Sequence, residues 1–84
     1  MILSVEFVEF MPEKKEDGVL YVSDKFQLAI HNCPCGCGTR AVTPLGEGGW
    51  SIEIDCEVVT LRPSILNRSC GTHYWVRKNE VVWA

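Results

Sequence analysis

Hydrophobic and polar residues alternate over short stretches of this chain, in the manner of β-strands. The clearest stretch is residues 50–54, where Trp50, Ile52 and Ile54 are separated by single polar residues. This period-two pattern predicts a strand with one buried face. Short apolar runs, several of them β-branched, predict further strands. These lie at residues 4–10, 19–22, 26–30, 40–43 and 57–61.

Turn-forming residues separate the predicted strands. Residues 12–18 contain no hydrophobic side chain and end in Asp-Gly, and residues 44–49 are rich in glycine, so both stretches predict loops. Later in the chain, the strand-like residues 74–77 and 81–83 flank Lys78-Asn79-Glu80. We interpret this pattern as a hairpin, because asparagine tolerates the positive φ that tight turns require.

The pattern as a whole favours a small β-domain. No stretch shows the sustained 3.6-residue period of a helix, and no linker or internal repeat divides the chain. We predict a mostly β fold, with residues 1–84 forming one compact domain of short antiparallel strands and hairpins. At most one helical turn, near Ser64, would make it a small α+β domain. A chain of 84 residues buries only about two thirds of the surface that its unfolded form exposes, so we expect a cross-link to support the core.

Composition and charge argue against several functional classes. Eight Lys and Arg residues against eleven Asp and Glu give a net charge of −3, and no basic stretch is present, which argues against nucleic-acid binding. The apolar runs are far shorter than the roughly 20 residues of a membrane helix. Carboxylates also occupy the first ten residues, where a signal peptide is basic and then apolar. We therefore expect a cytoplasmic protein without a nucleic-acid or membrane partner.

The five cysteines are the candidates for the cross-link. Residues 31–38, with the sequence HNCPCGCG, place three of them within five positions, and Cys70 and His73 follow later. Under reducing conditions such clusters are typical of metal ligands rather than disulfides. In an extended strand Cys33 and Cys37 would lie about 13 Å apart, too far to share one ion. We therefore expect this segment to curl, which its proline and glycines permit.

Zinc takes four ligands in structural sites, so a choice among these side chains is needed. Our preferred set is Cys33, Cys35, Cys37 and Cys70, with both histidines free. The alternative uses His73 as the fourth ligand and releases one cysteine of the cluster. A thiolate-rich, closed set is typical of structural zinc, although a four-cysteine site also accepts iron. A redox or metal-transfer protein with unliganded thiols is a third hypothesis, which the absence of the usual two-residue redox spacing disfavours.

The fifth cysteine, Cys56, has no other cysteine or histidine near it in the sequence. Free cysteine behaves as a small hydrophobic residue. We therefore leave Cys56 out of the metal site and expect it to be part of the core.

Ser64 follows Pro63 at the end of a predicted extended segment and is a candidate nucleophile. The ordinary role of such a serine is to cap a turn or a helix. Nucleophilic attack would require a histidine within hydrogen-bonding reach. His73 is the natural candidate, because it lies three residues beyond Cys70, whose backbone a bound metal would hold in place.

Three ordered motifs in this sequence resemble those of a small bacterial family. They are HxCPCGCG starting at His31, TLxPSI starting at Thr60 and CGxHYWV starting at Cys70, followed by a closing VWA. The family is the serine peptidase of bacterial ubiquitination-like (Bub-type) operons. The resemblance extends from about residue 19 to residue 84, and the ordered combination is more specific than any of the motifs alone.

This resemblance implies a zinc-binding serine peptidase that processes or releases a ubiquitin-like protein. Its partners would be the ubiquitin-like protein or its conjugates, together with the E1-like and E2-like proteins of the same operons. Ser64 would be the nucleophile and His73 the general base, with His31 as the second candidate for the base. The alternative is a non-catalytic zinc-binding interaction module, in which Ser64 caps a turn and His73 is a metal ligand.

Overall fold

Eight strands and no helix make up the chain in a computed structural model that describes residues 1–84, which confirms the predicted mostly β class. The strands are β1 (Ser4–Phe7), β2 (Val19–Ser23), β3 (Leu28–Asn32), β4 (Arg40–Pro44), β5 (Ser51–Asp55), β6 (Val58–Asn67), β7 (Thr72–Arg77) and β8 (Glu80–Trp83). No helix long and apolar enough to cross a membrane is present.

The strands form two four-stranded sheets, ordered β1-β2-β3-β4 and β5-β6-β7-β8. Neighbouring strands are antiparallel, as predicted, except for β1 and β2, which run parallel. A parallel pair needs a long connection between its strands. Residues 8–18 supply this connection, so the predicted loop there carries the chain back to the start of β2.

The hydrophobic core lies between the two sheets. Its apolar side chains with no exposed surface are Leu20, Ala29, Val59, Leu61, Tyr74 and Val76. Two isolated bridges, from Ile2 to Glu80 and from Leu45 to Trp50, join the sheets along both sides. The two sheets are therefore connected to each other by backbone pairing at two places.

The alternation predicted for residues 50–54 is present only in part. Trp50 and Ile52 are half-buried and pack against the core, whereas the side chain of Ile54 is 49% exposed. β5 is an edge strand of its sheet, and its last residues lie away from the core cluster. An apolar residue on the correct face therefore stays exposed where the opposite sheet does not cover it.

Two hairpins turn through two-residue loops, Cys56-Glu57 and Lys78-Asn79. All four residues have positive φ, between 49 and 67°, which is the backbone of a type I′ turn. The hairpin predicted at residues 78–80 is thus confirmed. Cys56 is exposed at the tip of its turn, so the expectation of a core cysteine is wrong. The turn geometry, and not the strand pattern, decides its environment.

No helical turn forms at Ser64, because this residue lies within β6, which continues beyond it. The register between β6 and β7 shifts between Leu61, which pairs with Val76, and Ile65, which pairs with Tyr74. Three residues of β6 therefore lie opposite one residue of β7, forming a β-bulge. Bulges change the direction of a strand and re-aim its side chains, so Ser64 lies outside the regular ladder.

Candidate active site and metal centre

Two turns at the same end of the sandwich bring four cysteines together. The first follows β3, where the Cys33 amide donates to the Thr39 carbonyl at 2.8 Å and the Gly36 amide to the Cys33 carbonyl at 3.1 Å. Gly36 and Gly38 have φ values of 84 and 85°, which only glycine adopts without strain. The predicted curl of this segment is confirmed. Cys70 comes from the second turn, between β6 and β7.

The four sulfur atoms have the spacing of a metal site. The Cys33 Sγ lies 3.4 Å from that of Cys35 and 3.7 Å from that of Cys70, and the Cys35 and Cys70 sulfurs are 3.6 Å apart. All four Sγ atoms, including that of Cys37, lie within 4.8 Å of one another. In a tetrahedral site with metal–sulfur distances of about 2.3 Å, sulfurs lie about 3.8 Å apart. The predicted group of four cysteines can therefore hold one metal ion.

The acidities of these thiols show why a cation suits the cluster. Burial acts to raise the pKa of Cys33, but hydrogen bonds, first that from Thr72, outweigh it and lower this pKa to about 6. Hydrogen bonds among the sulfurs, first that with Cys33, raise the pKa of Cys35 to about 12. Neighbouring thiols thus ionise at each other's expense. A bound cation removes this competition, because metal ligation favours the thiolate form.

Two threonines and an asparagine support the cluster and were not singled out from the sequence. The Oγ1 of Thr72 lies 2.9 Å from the Cys70 Sγ, and that of Thr39 lies 2.9 Å from the Cys37 Sγ. Asn67 Nδ2 donates to Thr39 Oγ1 at 2.9 Å. Such outer hydrogen bonds orient metal ligands. The signal was present, because each threonine stands two residues after a cysteine of the cluster.

Ser64 and His73 form a hydrogen-bonded pair on the outer face of the second sheet. The Ser64 Oγ lies 2.7 Å from the His73 Nε2. His73 pairs directly with Leu66, so Ser64 is its diagonal neighbour, at a separation that long side chains span. Since Tyr74 points into the core, the adjacent His73 points outward. The structure therefore brings together the two residues that the sequence suggested as nucleophile and base.

This pair has the chemistry of an activated hydroxyl. A serine hydroxyl becomes a useful nucleophile when a neutral imidazole nitrogen accepts its proton. His73 is exposed and Ser64 half-buried, so a carbonyl group can reach the hydroxyl from solvent. No third side chain hydrogen bonds to the His73 ring, which makes this a dyad. His73 is also absent from the converging sulfur ligands, although the alternative ligand set includes it.

His31 lies elsewhere, inside the core. Its ring is fully buried, its Nε2 lies 2.8 Å from the Tyr74 Oη, and its Nδ1 has no hydrogen-bond partner. Burial lowers the pKa of His31 to about 4, so this imidazole is neutral at neutral pH. His31 and Ser64 are not hydrogen bonded to each other, and the structure does not bring them together.

A family model described as bacterial ubiquitination-like system serine protease (BubE) matches residues 7–84. The chain belongs to this family. The matched residues include both cysteine turns and the Ser64–His73 pair, and they begin before residue 19, where the motif resemblance begins. No curated protein and no solved structure gave a match.

The cysteine cluster leads to a prediction about metal content. We expect Cys70→Ser to lose stoichiometric metal and to lower the melting temperature by more than about 10 °C, because a structural metal contributes several kcal/mol to a domain of this size. Metal analysis after dialysis and thermal unfolding measure both effects. The matched control is Cys56→Ser, which changes an exposed thiol outside the cluster and should behave like the parent. Full metal retention in Cys70→Ser would contradict the site.

The buried neutral state of His31 leads to a prediction about pH. Histidine in the unfolded chain binds a proton below its ordinary pKa of 6.5, whereas folded His31 does so only near pH 4. Between these values the unfolded state binds more protons, so stability falls as the pH falls. We expect His31 to contribute a loss of about 2 kcal/mol between pH 7 and pH 5.

Urea unfolding at both pH values measures this contribution by comparing the parent with His31→Gln, which can still hydrogen bond to Tyr74. Both proteins contain the cysteine cluster, so acid effects on the thiols cancel in the comparison. The variant should lose less stability on acidification than the parent. An equal loss in the two proteins would rule out His31 as the source.

Proposed function

We propose that this chain is a zinc-stabilised serine peptidase that processes or releases a bacterial ubiquitin-like protein, with Ser64 as nucleophile and His73 as general base. The observation that carries this proposal is the 2.7 Å contact between Ser64 Oγ and His73 Nε2. It occurs in a chain whose family is described as a serine protease of a bacterial ubiquitination-like system.

The proposed reaction is acyl transfer. Ser64 Oγ attacks the carbonyl carbon of the scissile bond while His73 Nε2 takes the hydroxyl proton. The tetrahedral intermediate collapses, the C–N bond breaks, and His73 returns the proton to the departing amine. A water molecule then gives its proton to His73 and attacks the acyl-enzyme, which releases the carboxylate product and restores Ser64.

The β-bulge offers a donor for the negative charge that develops on the carbonyl oxygen. Ser64 is paired with neither neighbouring strand, because the β5 ladder ends at Arg62 and the β7 ladder resumes at Ile65. Its backbone N–H is therefore the proposed donor to the substrate carbonyl. One such oxyanion donor typically contributes about 3 kcal/mol to transition-state stabilisation.

Zinc is the metal that suits this cluster best. Four cysteine sulfurs with near-tetrahedral spacing are typical of structural zinc, and a closed set leaves no position for a substrate. Cys33, Cys35, Cys37 and Cys70 would hold the ion. When bound, zinc supplies no reaction chemistry here but cross-links the two turns, and so supports the strand that carries His73.

The proposal also includes the partners of the chain and a cytoplasmic location. The substrate is a ubiquitin-like protein or its conjugates, and the E1-like and E2-like proteins of the same pathway are further partners. Five reduced cysteines without a disulfide are compatible with the cytoplasm, where thiols stay reduced.

Substitution of the dyad tests the proposed reaction. With a precursor of a bacterial ubiquitin-like protein as substrate, Ser64→Ala should lower kcat/KM by at least about 10³-fold, because nucleophile and base act as a unit. Zinc content and melting temperature should stay at the parent values. Ser69→Ala is the matched control, since Ser69 is exposed and its hydroxyl makes no hydrogen bond. Undiminished cleavage by Ser64→Ala would refute Ser64 as the nucleophile, whereas no cleavage by the parent protein would favour the non-catalytic zinc module.

Removal of the imidazole distinguishes a base from a ligand. We expect His73→Ala to lose activity as Ser64→Ala does while keeping about one zinc per chain. Metal analysis and thermal unfolding of the purified variant give the answer. A fall in zinc content together with stability would assign His73 to the metal site and remove the proposed base.

A further inference from the structure

A groove of about 260 Å³ lies next to Ser64 and has no role in the reaction described so far. It separates the β4 edge of the first sheet from the second half of β6. Residues that line it include Arg40, Val42, Trp50, Ile65, Leu66 and Arg68. Ser64 itself does not line the groove, but Ile65, which directly follows the proposed nucleophile, does.

Both walls of the groove are open strand edges. β5 pairs with β6 only as far as Arg62, so from Pro63 to Asn67 one side of β6 has no partner strand. β4 pairs with β3 alone, which leaves the opposite edge of residues 40–42 open. Open edges present unpaired N–H and C=O groups. Such groups bind extended peptides by β-strand addition.

Two hydrogen bonds border the groove. At one end, Asn67 Nδ2 donates to Thr39 Oγ1 at 2.9 Å and links the second sheet to the cysteine turn. At the other end, the Trp50 amide donates to the Pro44 carbonyl at 2.8 Å. These hydrogen bonds connect residues of the two walls with neighbouring turns.

The charged side chains that line the groove are all positive. Arg40 and Arg68 are the charged side chains that line it, and no Asp or Glu does, although the chain as a whole carries a charge of −3. Arg68 takes part in neither of the two ion pairs of the structure, and Arg40 donates only to the Glu13 carbonyl at 3.3 Å. Arginine pairs strongly with carboxylates.

The indole of Trp50 is another hydrogen-bond donor in the lining of the groove. The Trp50 Nε1 is buried and has no hydrogen-bond partner, and Trp50 lines the groove together with the two arginines. Buried donors without a partner are rare in folded proteins. The Trp50 indole therefore lacks an acceptor and neither arginine has a carboxylate partner, and a peptide with carboxylate and carbonyl oxygens provides both kinds of acceptor.

Distances along a strand connect the groove to the reaction. A peptide added to a sheet lies about 4.8 Å from its neighbour, which brings its carbonyl groups within one side-chain length of Ser64. β6 continues beyond Ser64 for three residues to Asn67, about 10 Å along the strand, and Arg68 follows in the turn.

We propose that this groove binds an extended segment of the substrate as an added strand on the β6 edge, with an acidic side chain about four residues from the cleaved bond held by Arg68 and Arg40. The cleavage part rests on the proposed function, whereas the binding part does not. The segment could be cut only if it is accessible and extended, as in an unstructured tail.

A random ten-residue peptide library displayed on phage tests the binding part, with Ser64→Ala as bait so that no peptide is cut. We expect enriched peptides to carry Asp or Glu at one fixed position. The enriched peptide should bind at least about tenfold more weakly when this residue is changed to Asn or Gln, and more weakly to the bait that also carries Arg40→Glu and Arg68→Glu. Enrichment without an acidic position would overturn the proposal.

Arg77→Glu is the matched control, because it makes the same charge reversal in the separate groove lined by Thr60, Arg62 and Lys78. It should leave binding of the enriched peptide unchanged, and loss of binding in this variant would assign the peptide to that other groove. Amide chemical shifts in NMR spectra of the bait should change at residues 64–68 and 40–42 on adding the peptide. Changes confined to other strands would contradict an added strand on β6.

Cleavage assays separate this proposal from the proposed function. In the protein with an intact Ser64, Arg40→Glu with Arg68→Glu should raise KM for the ubiquitin-like precursor more than it lowers kcat. Binding of acidic peptides without any cleavage would refute the proposed peptidase activity and support peptide binding in the groove. Cleavage that depends on Ser64 but is insensitive to both arginine substitutions would support the peptidase activity and refute substrate binding in the groove.

Discussion

The rest of the structure depends on the convergence of four sulfurs from two different sheets. Cys33, Cys35 and Cys37 belong to the turn after β3 in the first sheet, and Cys70 belongs to the turn before β7 in the second. Their Sγ atoms nevertheless lie within 4.8 Å of one another. One ion there would cross-link the two layers at the end where apolar packing gives way to turns. A small core gains most from such a cross-link.

Local patterns predicted much of the fold because they act over a few residues. The strands at residues 19–22, 40–43 and 74–77 and the turn at Lys78-Asn79 follow from apolar runs and from the φ that asparagine tolerates. The parallel pairing of β1 with β2 did not follow, because pairing partners are distant in the sequence. Cys56 was assigned to the core because its hydrophobicity was visible, whereas the turn that exposes it was not.

The cysteine cluster could be predicted without knowledge of the topology. Four cysteines with glycines between them are a strong chemical signal, and their convergence needed no knowledge of the topology. The choice between the histidines was harder, since it depends on which way each side chain points. In β7, Tyr74 is buried and His73 is exposed. The sequence alone does not show which of these two adjacent residues faces the core. A ladder in the opposite phase would have buried His73 and exposed Tyr74.

The bulge in β6 connects the proposed chemistry to the proposed recognition. In a regular ladder Ser64 would lie directly opposite a residue of β7. The extra residues free Ser64 from this ladder while Ile65 and Leu66 restore the pairing with β7. On the side of β6 that faces away from β7, the pairing with β5 ends at Arg62. The residues of β6 after Arg62 therefore form an open strand edge on that side. A proposed nucleophile between two interrupted ladders would give an extended peptide access to both a hydroxyl and a strand edge, without the deep pocket that a domain of this size cannot enclose.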